Sequence, residues 1–164
     1  SLWCLGSALC MVAAIVPWNV PQFVSMSKIA PALFSGSAIV IKPAPETPLD
    51  MFLLAKLVDE AGIPAGVFNV VPAGREVGEH LVTHPGVDKI AFTGSTAAGR
   101  HIASLCGQQL KRCSLELGGK SAAIVLDDAD LATTIAGLEF SSLMNNGQAC
   151  VAQTRILAPR ARYG

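Results

Sequence analysis

The sequence predicts an α/β fold built on a doubly wound parallel sheet, and three observations predict it. Short apolar, β-branched runs recur at residues 12–16, 38–42, 67–71 and 89–93 without polar alternation, which suits strands buried on both faces. Stretches with helical spacing of apolar residues separate them. Glycine and proline punctuate nearly every junction. Strands that alternate with helices give a parallel sheet, because each crossover returns the chain to the same edge-on direction.

Bulk composition bounds the function. A chain of 164 residues with 51% hydrophobic content is long enough for one sizeable core and buries roughly 70% of its unfolded surface. Twelve basic and twelve acidic side chains cancel, so no electrostatic footprint for nucleic acid or an anionic membrane is present. Small or hydrophobic partners are expected. The five cysteines, Cys4, Cys10, Cys106, Cys113 and Cys150, are odd in number and scattered, with neither C-x-x-C nor Cys/His metal spacing. No metal site is expected, and a reducing, cytoplasmic location is.

The first 27 residues carry no charge, and a membrane or export segment competes there with a buried strand. The apolar run 2–16 is shorter than the roughly 20 residues a spanning helix needs, has no basic flank before it and ends at Pro17. A buried central strand at 12–16 is the expectation. Residues 1–10 have neither turn chemistry nor a cap and read as an atypical leader.

After the strand at 12–16, Pro17-Trp18-Asn19-Val20-Pro21 holds Asn19 between two prolines in a stiff loop. Either the amide is aimed at a ligand or Asn19 caps a strand-to-helix turn. Residues 22–36 carry Phe23, Met26, Ile29, Ala30 and Leu33 at helical spacing, with Pro31 as a kink and Gly36 as a stop. The strand 38–42 ends at Lys42, where open α/β sheets bind ligands, although a lone lysine there is most often solvated. A helix at 49–61, closed by Gly62 and Pro64, leads to a strand at 67–71, a short helix at 76–84 and a strand at 89–93.

Gly94-Ser95-Thr96-Ala97-Ala98-Gly99 opens a helix at 96–105. A P-loop needs Lys-Ser/Thr after its second glycine, and Arg100-His101 stand there; G-x-G-x-x-G is absent too. What survives is a helix N-terminus at which Gly94 and Ser95 could donate to a phosphate, or at which Ser95 is a plain N-cap. Strands at 112–117 and 122–126 flank the Gly118-Gly119 turn. Asp127, Asp128 and Asp130 then precede a helix at 131–144 as caps rather than metal ligands, and residues 153–158 form a last short strand. His80, His84 and His101 lie on or beside polar helix faces and are assigned no catalytic role.

The chemistry converges on Asn145-Asn146-Gly147-Gln148-Ala149-Cys150. A cysteine on a polar, Gly-containing loop can be reached by substrate, whereas a buried one behaves as a small inert hydrophobe. Leu115-Glu116-Leu117-Gly118-Gly119-Lys120-Ser121 places a carboxylate on an apolar strand end. A thiol and a carboxylate able to act as a base are the minimum set for forming and hydrolysing a thioester.

Six stretches in order resemble the aldehyde dehydrogenase superfamily: Ile15-Val16-Pro17-Trp18-Asn19, Lys42-Pro43-Ala44-Pro45-Glu46-Thr47-Pro48, Gly62-Ile63-Pro64-Ala65-Gly66-Val67-Phe68-Asn69-Val70-Val71, Phe92-Thr93-Gly94-Ser95-Thr96, Leu115-Glu116-Leu117-Gly118-Gly119-Lys120-Ser121 and Gly147-Gln148-Ala149-Cys150. The resemblance implies NAD(P)-dependent oxidation of an aldehyde, with Cys150 as nucleophile, Asn19 and the Cys150 N–H holding the oxyanion, and Glu116 activating the hydrolytic water. It also implies that Lys42 contacts the adenosine ribose, Gly94 and Ser95 face the pyrophosphate, and Leu117 and Trp18 contribute to the cofactor site. The domains it implies are a Rossmann-like cofactor-binding domain at 1–117 and the start of a catalytic domain at 118–164. Longer homologues are expected to be homo-oligomers.

Two departures from the family pattern bear on function. The place where many NAD-preferring members carry a ribose-binding Glu is Pro45, with Glu46 next, so NAD and NADP both stay open. The chain also stops soon after Cys150, before most of the catalytic domain, which favours the alternative of an inactive truncated fragment retaining nucleotide binding. A thiol hydrolase would need a histidine partner for Cys150, and the sequence marks none.

Overall fold

The computed structural model describes residues 10–163. The leader expected at 1–10 lies outside the described residues except for Cys10. Contacts divide the chain into two compact units, Ser1–Leu117 and Gly118–Gly164.

Among the described residues the first unit holds a five-stranded, all-parallel sheet in the order β3-β2-β1-β4-β5. Its strands are β1 (Met11–Ile15), β2 (Ala38–Lys42), β3 (Phe68–Val70), β4 (Lys89–Gly94) and β5 (Arg112–Leu117). The described part of the apolar run that competes as a membrane segment holds the central strand, β1, paired with β2 on one side and β4 on the other. Its own alternation divides the core. Val12, Ala14 and Val16 pack with Val24, Ile29 and Ala32 of α1 (Pro21–Phe34) and Met51 of α2 (Leu49–Glu60). Ala13 and Ile15 pack with Val82 of α3 (Arg75–Thr83) and with Ile102 and Cys106 of α4 (Thr96–Gln108). A strand buried on both faces has no polar positions to alternate, which is why the run reads as continuous.

Helix α1 corrects the expected stripe. The buried residues are Val24, Ser25, Lys28, Ile29 and Ala32, whereas Phe23 is 78% and Phe34 96% exposed. The sheet below offers small side chains, Ala14 among them, so close approach selects Ser25 and Ala32 over the bulkier aromatics. The helix continues through Pro31 to Phe34, and Gly36 ends it in the left-handed conformation with φ of 71°. Lys111 fastens the far end of the layer, donating to the carbonyls of Val82 at 2.7 Å and His84 at 2.9 Å at the end of α3.

The second unit holds β6 (Ala122–Ile124), α5 (Leu131–Leu143) and β7 (Arg155–Leu157). β6 and β7 pair in parallel as a separate two-stranded sheet and do not extend the doubly wound one. The expected trio of aspartate caps narrows to Asp130, whose Oδ1 accepts from the Thr133 N–H at 2.8 Å. That bond to the charged form lowers the Asp130 pKa. Among the described residues no helix is long and apolar enough to cross a membrane.

Candidate functional site

In a sheet of this order the chain reverses its winding beside β1, and the carboxyl ends of the strands there open a crevice. The first unit has its cavity at that place, about 590 Å³, floored by Ile15, Lys42 and Phe92 and walled by Gly78 and Val82 of α3 and Ala98 and Ile102 of α4. Most of its lining is apolar, with a few polar groups at the rim, which is the usual composition of a small-molecule site.

Lys42 is buried rather than solvated. The register opposite Ile15 turns its side chain to the face covered by α3, and its stem runs past Gly78, where a β-carbon would stand 3.4 Å from Cε. The ammonium donates to the carbonyl oxygens of Pro43 at 2.9 Å and Ala73 at 2.8 Å. Burial lowers the Lys42 pKa, and the Glu46 carboxylate opposes that shift.

Gly94 closes β4 and Ser95 is the N-cap of α4, its Oγ accepting from the Ala98 N–H at 3.3 Å. A β-carbon at Gly94 would overlap the Phe92 ring, and one at Gly99 would overlap the Leu117 side chain. Both glycines are thus places where the strand ends and α4 come close together. Trp18 is 45% exposed and Asn19 half-buried at the start of α1, whose N-cap is Val20 and carries no side-chain capping bond.

Glu116 is exposed on β5, opposite Thr93 of β4. Lys28 of α1, buried at 8% exposure, has Glu116 as a favourable charge and Lys89 as an unfavourable one. Burial is the larger influence and lowers the Lys28 pKa. Lys28, Arg75 and the Glu79–His101 pair, 3.3 Å apart, escape a reading by motif. The available signal for Lys28 was the stripe Ser25, Lys28, Ala32 at helical spacing; for the others it was their place on α3 and α4 across one crevice.

In the second unit, the loop that carries Cys150 leaves α5 through a 3₁₀ turn, Met144–Gly147. Asn145, Asn146 and Gly147 take φ of 51°, 56° and 74°, three successive left-handed residues. Asparagine and glycine are the residues that tolerate this conformation, which accounts for the Asn-Asn-Gly sequence. The chain then turns about Cys150, with the Ala152 N–H donating to the Ala149 carbonyl at 3.1 Å. Ser142 Oγ donates to the Gln153 carbonyl at 2.7 Å and ties the exit of the loop to α5. Cys150 itself is exposed. Of the other thiols, Cys106 is buried and Cys113 is exposed on β5. Among the described residues no group of three or more His, Cys, Asp or Glu side chains could hold a metal ion.

The family model described as "Aldehyde dehydrogenase family" matches residues 5–164. The chain is 60% identical over 153 residues to a geranial dehydrogenase of Castellaniella defragrans, covering 93% of this chain and 32% of that protein. It is 51% identical over 154 residues to a phenylacetaldehyde dehydrogenase of Pseudomonas fluorescens, at 93% and 31% coverage. Among solved structures, a Mycobacterium tuberculosis aldehyde dehydrogenase complexed with NAD+ superposes with a TM-score of 0.90 at 52% identity, covering 95% of this chain and 32% of that one. An NAD+ complex of a Bacillus cereus aldehyde dehydrogenase gives a TM-score of 0.91 at 43% identity, with 95% and 32% coverage. The chain spans about a third of the length of these relatives.

Proposed function

The chain belongs to the aldehyde dehydrogenase family, and from that membership we propose that it serves the oxidation of an aldehyde to a carboxylic acid with NAD or NADP, through a thioester on Cys150. The observation that carries the cofactor half of this reading is the cavity at the carboxyl ends of β1, β2 and β4, floored by Lys42 and bordered by the N-terminus of α4.

The residues present suit a dinucleotide. The apolar walls accept an adenosine, and the glycines at Gly94 and Gly99 keep the helix N-terminus close to the strand ends, where a pyrophosphate would meet backbone N–H groups. Lys42 uses two of its three ammonium donors on the Pro43 and Ala73 carbonyls and keeps one for a ribose hydroxyl. Gly94 and Ser95 are assigned to the pyrophosphate, and Leu117 and Trp18 to the cofactor's remaining contacts. When bound, the dinucleotide supplies the acceptor for the substrate's hydride. Residues 1–117 are read as the cofactor-binding domain and 118–164 as the beginning of the catalytic one.

The protein's own residues do the rest. The Cys150 thiolate attacks the carbonyl carbon, and the oxyanion takes hydrogen bonds from the Asn19 amide and the Cys150 N–H. Glu116 removes a proton from the water that cleaves the thioester, which releases the acid and restores the thiol. These roles rest on the family pattern. Homo-oligomers are proposed for the longer proteins of this type. Relatives named for geranial and phenylacetaldehyde make apolar aldehydes the first substrates to assay.

A second reading is supported by the exposure of Cys150 and Glu116: these 164 residues bind nucleotide without completing turnover. Calorimetric titration of NAD and NADP into the chain and into Lys42→Ala tests the shared cofactor reading. Weaker binding by the variant is expected, and equal affinity removes Lys42 from the site.

A further inference from the structure

We propose that Cys106 and Cys113 form a reversible redox site, which the disulfide of a small thiol oxidises to an intrachain disulfide. The site lies on α4 and β5 and stands independently of the roles given to Cys150 and to the cofactor cavity.

The backbone brings the two side chains together. Residues 107–112 alone separate them. The chain leaves α4 in a closed turn: the N–H groups of Gln109 and Lys111 donate to the Cys106 carbonyl at 3.1 and 2.9 Å, and Leu110 is left-handed with φ of 53°. The Lys111 ammonium fastens that turn to the Val82 and His84 carbonyls. β5 then runs back beside α4. Alternation puts Cys113 on the same face as Leu115 and Leu117, which pack against the cluster containing Cys106. Its register partner, Ile90, belongs to that cluster as well. The two thiols meet there in a side-chain hydrogen bond. From that contact the sulfurs need only close to the roughly 2.05 Å of a disulfide.

Unequal access orders the chemistry. Cys113 is exposed on β5, whose one neighbouring strand among the described residues is β4, whereas Cys106 is 1% exposed. The Cys113 thiolate attacks one sulfur of the small disulfide, which forms a mixed disulfide and releases the first small thiol. Cys106 then loses its proton and attacks the Cys113 sulfur, expelling the second. The two protein thiols give up two electrons, one small disulfide takes them, and the protons of both protein thiols end on the two released thiols. Burial first, and the Cys113 thiol next, hold Cys106 protonated up to about 11, and the Lys111 ammonium opposes that shift. Closure is therefore the slower step. Because the attacking sulfur already touches its target, preorganisation offsets the small thiolate fraction.

The test equilibrates the 164-residue chain in glutathione buffers of graded oxidised-to-reduced ratio, with and without concentrated urea. Remaining thiols are blocked with N-ethylmaleimide under denaturing conditions, and the chain is cut with trypsin. Cleavage after Lys111 and Arg112 separates the two cysteines, so the bond is read by mass spectrometry as residues 101–111 joined to 113–120. In the folded chain the equilibrium constant for this bond is expected to exceed its value in urea by roughly tenfold or more, since in urea only the short loop favours pairing. Cys113→Ser, on an exposed strand position, should leave Cys106 free to take the maleimide. Cys106→Ala should leave Cys113 as its mixed disulfide with glutathione. Equal constants with and without urea overturn the proposal. So does a folded chain in which Cys113 carries glutathione while Cys106 stays a thiol, or in which Cys113 joins a different cysteine.

Discussion

The Leu117 side chain, at the end of β5, lies so close over Gly99 of α4 that a β-carbon on Gly99 would overlap it. That contact brings the first turn of α4 down onto the strand end that carries Glu116. The opposing effects can be weighed. Gly99→Ala gains about 1 kcal/mol of helix propensity and loses roughly 0.5–1.5 kcal/mol if Leu117 leaves its rotamer, so its melting temperature should stay close to that of the parent. Gly99→Val adds branching that Leu117 cannot clear, at a cost of about 1–3 kcal/mol. Thermal unfolding of both variants checks this, and a Gly99→Val protein as stable as the parent would exclude the close contact.

Lys28 is buried at 8% exposure without a hydrogen bond or ion pair among the described residues, and burial depresses its pKa below 10.5. Between the folded value and 10.5 the unfolded chain binds more protons, so this group makes stability rise with pH through that window. Below it the cost of the buried charge is fully present. Lys28→Met keeps the stem and removes the charge, and should stabilise the fold by about 1–3 kcal/mol at pH 7. Urea unfolding at pH 7 and pH 10 measures the gap between the two proteins. A gap that does not shrink at the higher pH contradicts the assignment.

Among the free thiols, Cys106, Cys113 and Cys150 should separate by reactivity. Burial pushes the Cys106 thiol up to about 11, with the neighbouring Cys113 thiol adding to the shift. Cys113 and Cys150 are exposed. Iodoacetamide at pH 8 is expected to modify those two in the folded chain, and Cys106 only after denaturation. Because Cys106 stays protonated to about 11 while the unfolded thiol ionises near 9.0, it makes stability fall as pH rises from 9 to 11, by roughly 2 kcal/mol when fully developed. The sign is opposite to that of Lys28 in the same range, so the comparison must be made against Cys106→Ala, which should lack this slope. Early labelling of Cys106, read by peptide mass spectrometry, would show that it is not buried.

The 164 residues alone are expected to bind nucleotide and to give no measurable aldehyde oxidation. Catalysis needs groups held in place beforehand, and a displacement of about 1 Å can cost around a hundredfold. Cys150 is exposed, so its thiol faces water, and Phe23, Phe34 and Phe140 present apolar surface that favours association. Incubation with NAD or NADP and apolar aldehydes, followed by absorbance of the reduced cofactor, is sufficient. Steady turnover that vanishes in Cys150→Ser would establish that these residues suffice for the reaction.

What the sequence determined by itself is local or periodic. The continuous apolar runs at 12–16, 38–42 and 89–93 mark strands because a two-face-buried strand excludes polar residues at every position. Asn145-Asn146-Gly147 marks a left-handed loop because few other residues tolerate that backbone. The six stretches that resemble aldehyde dehydrogenases are short and contiguous, so the family was legible from the sequence, and the family model matches residues 5–164. The tertiary structure alone decided which side of α1 is buried, since that depends on the small side chains of a strand earlier in the chain. It decided that β6 pairs with β7, some thirty residues on, and not with the larger sheet. It also decided that Lys42 is buried on two carbonyls while Arg75 is left unpaired beside it. Such outcomes depend on contacts between residues distant in sequence, and charge or hydrophobicity at one position carries no record of what the fold will bring against it.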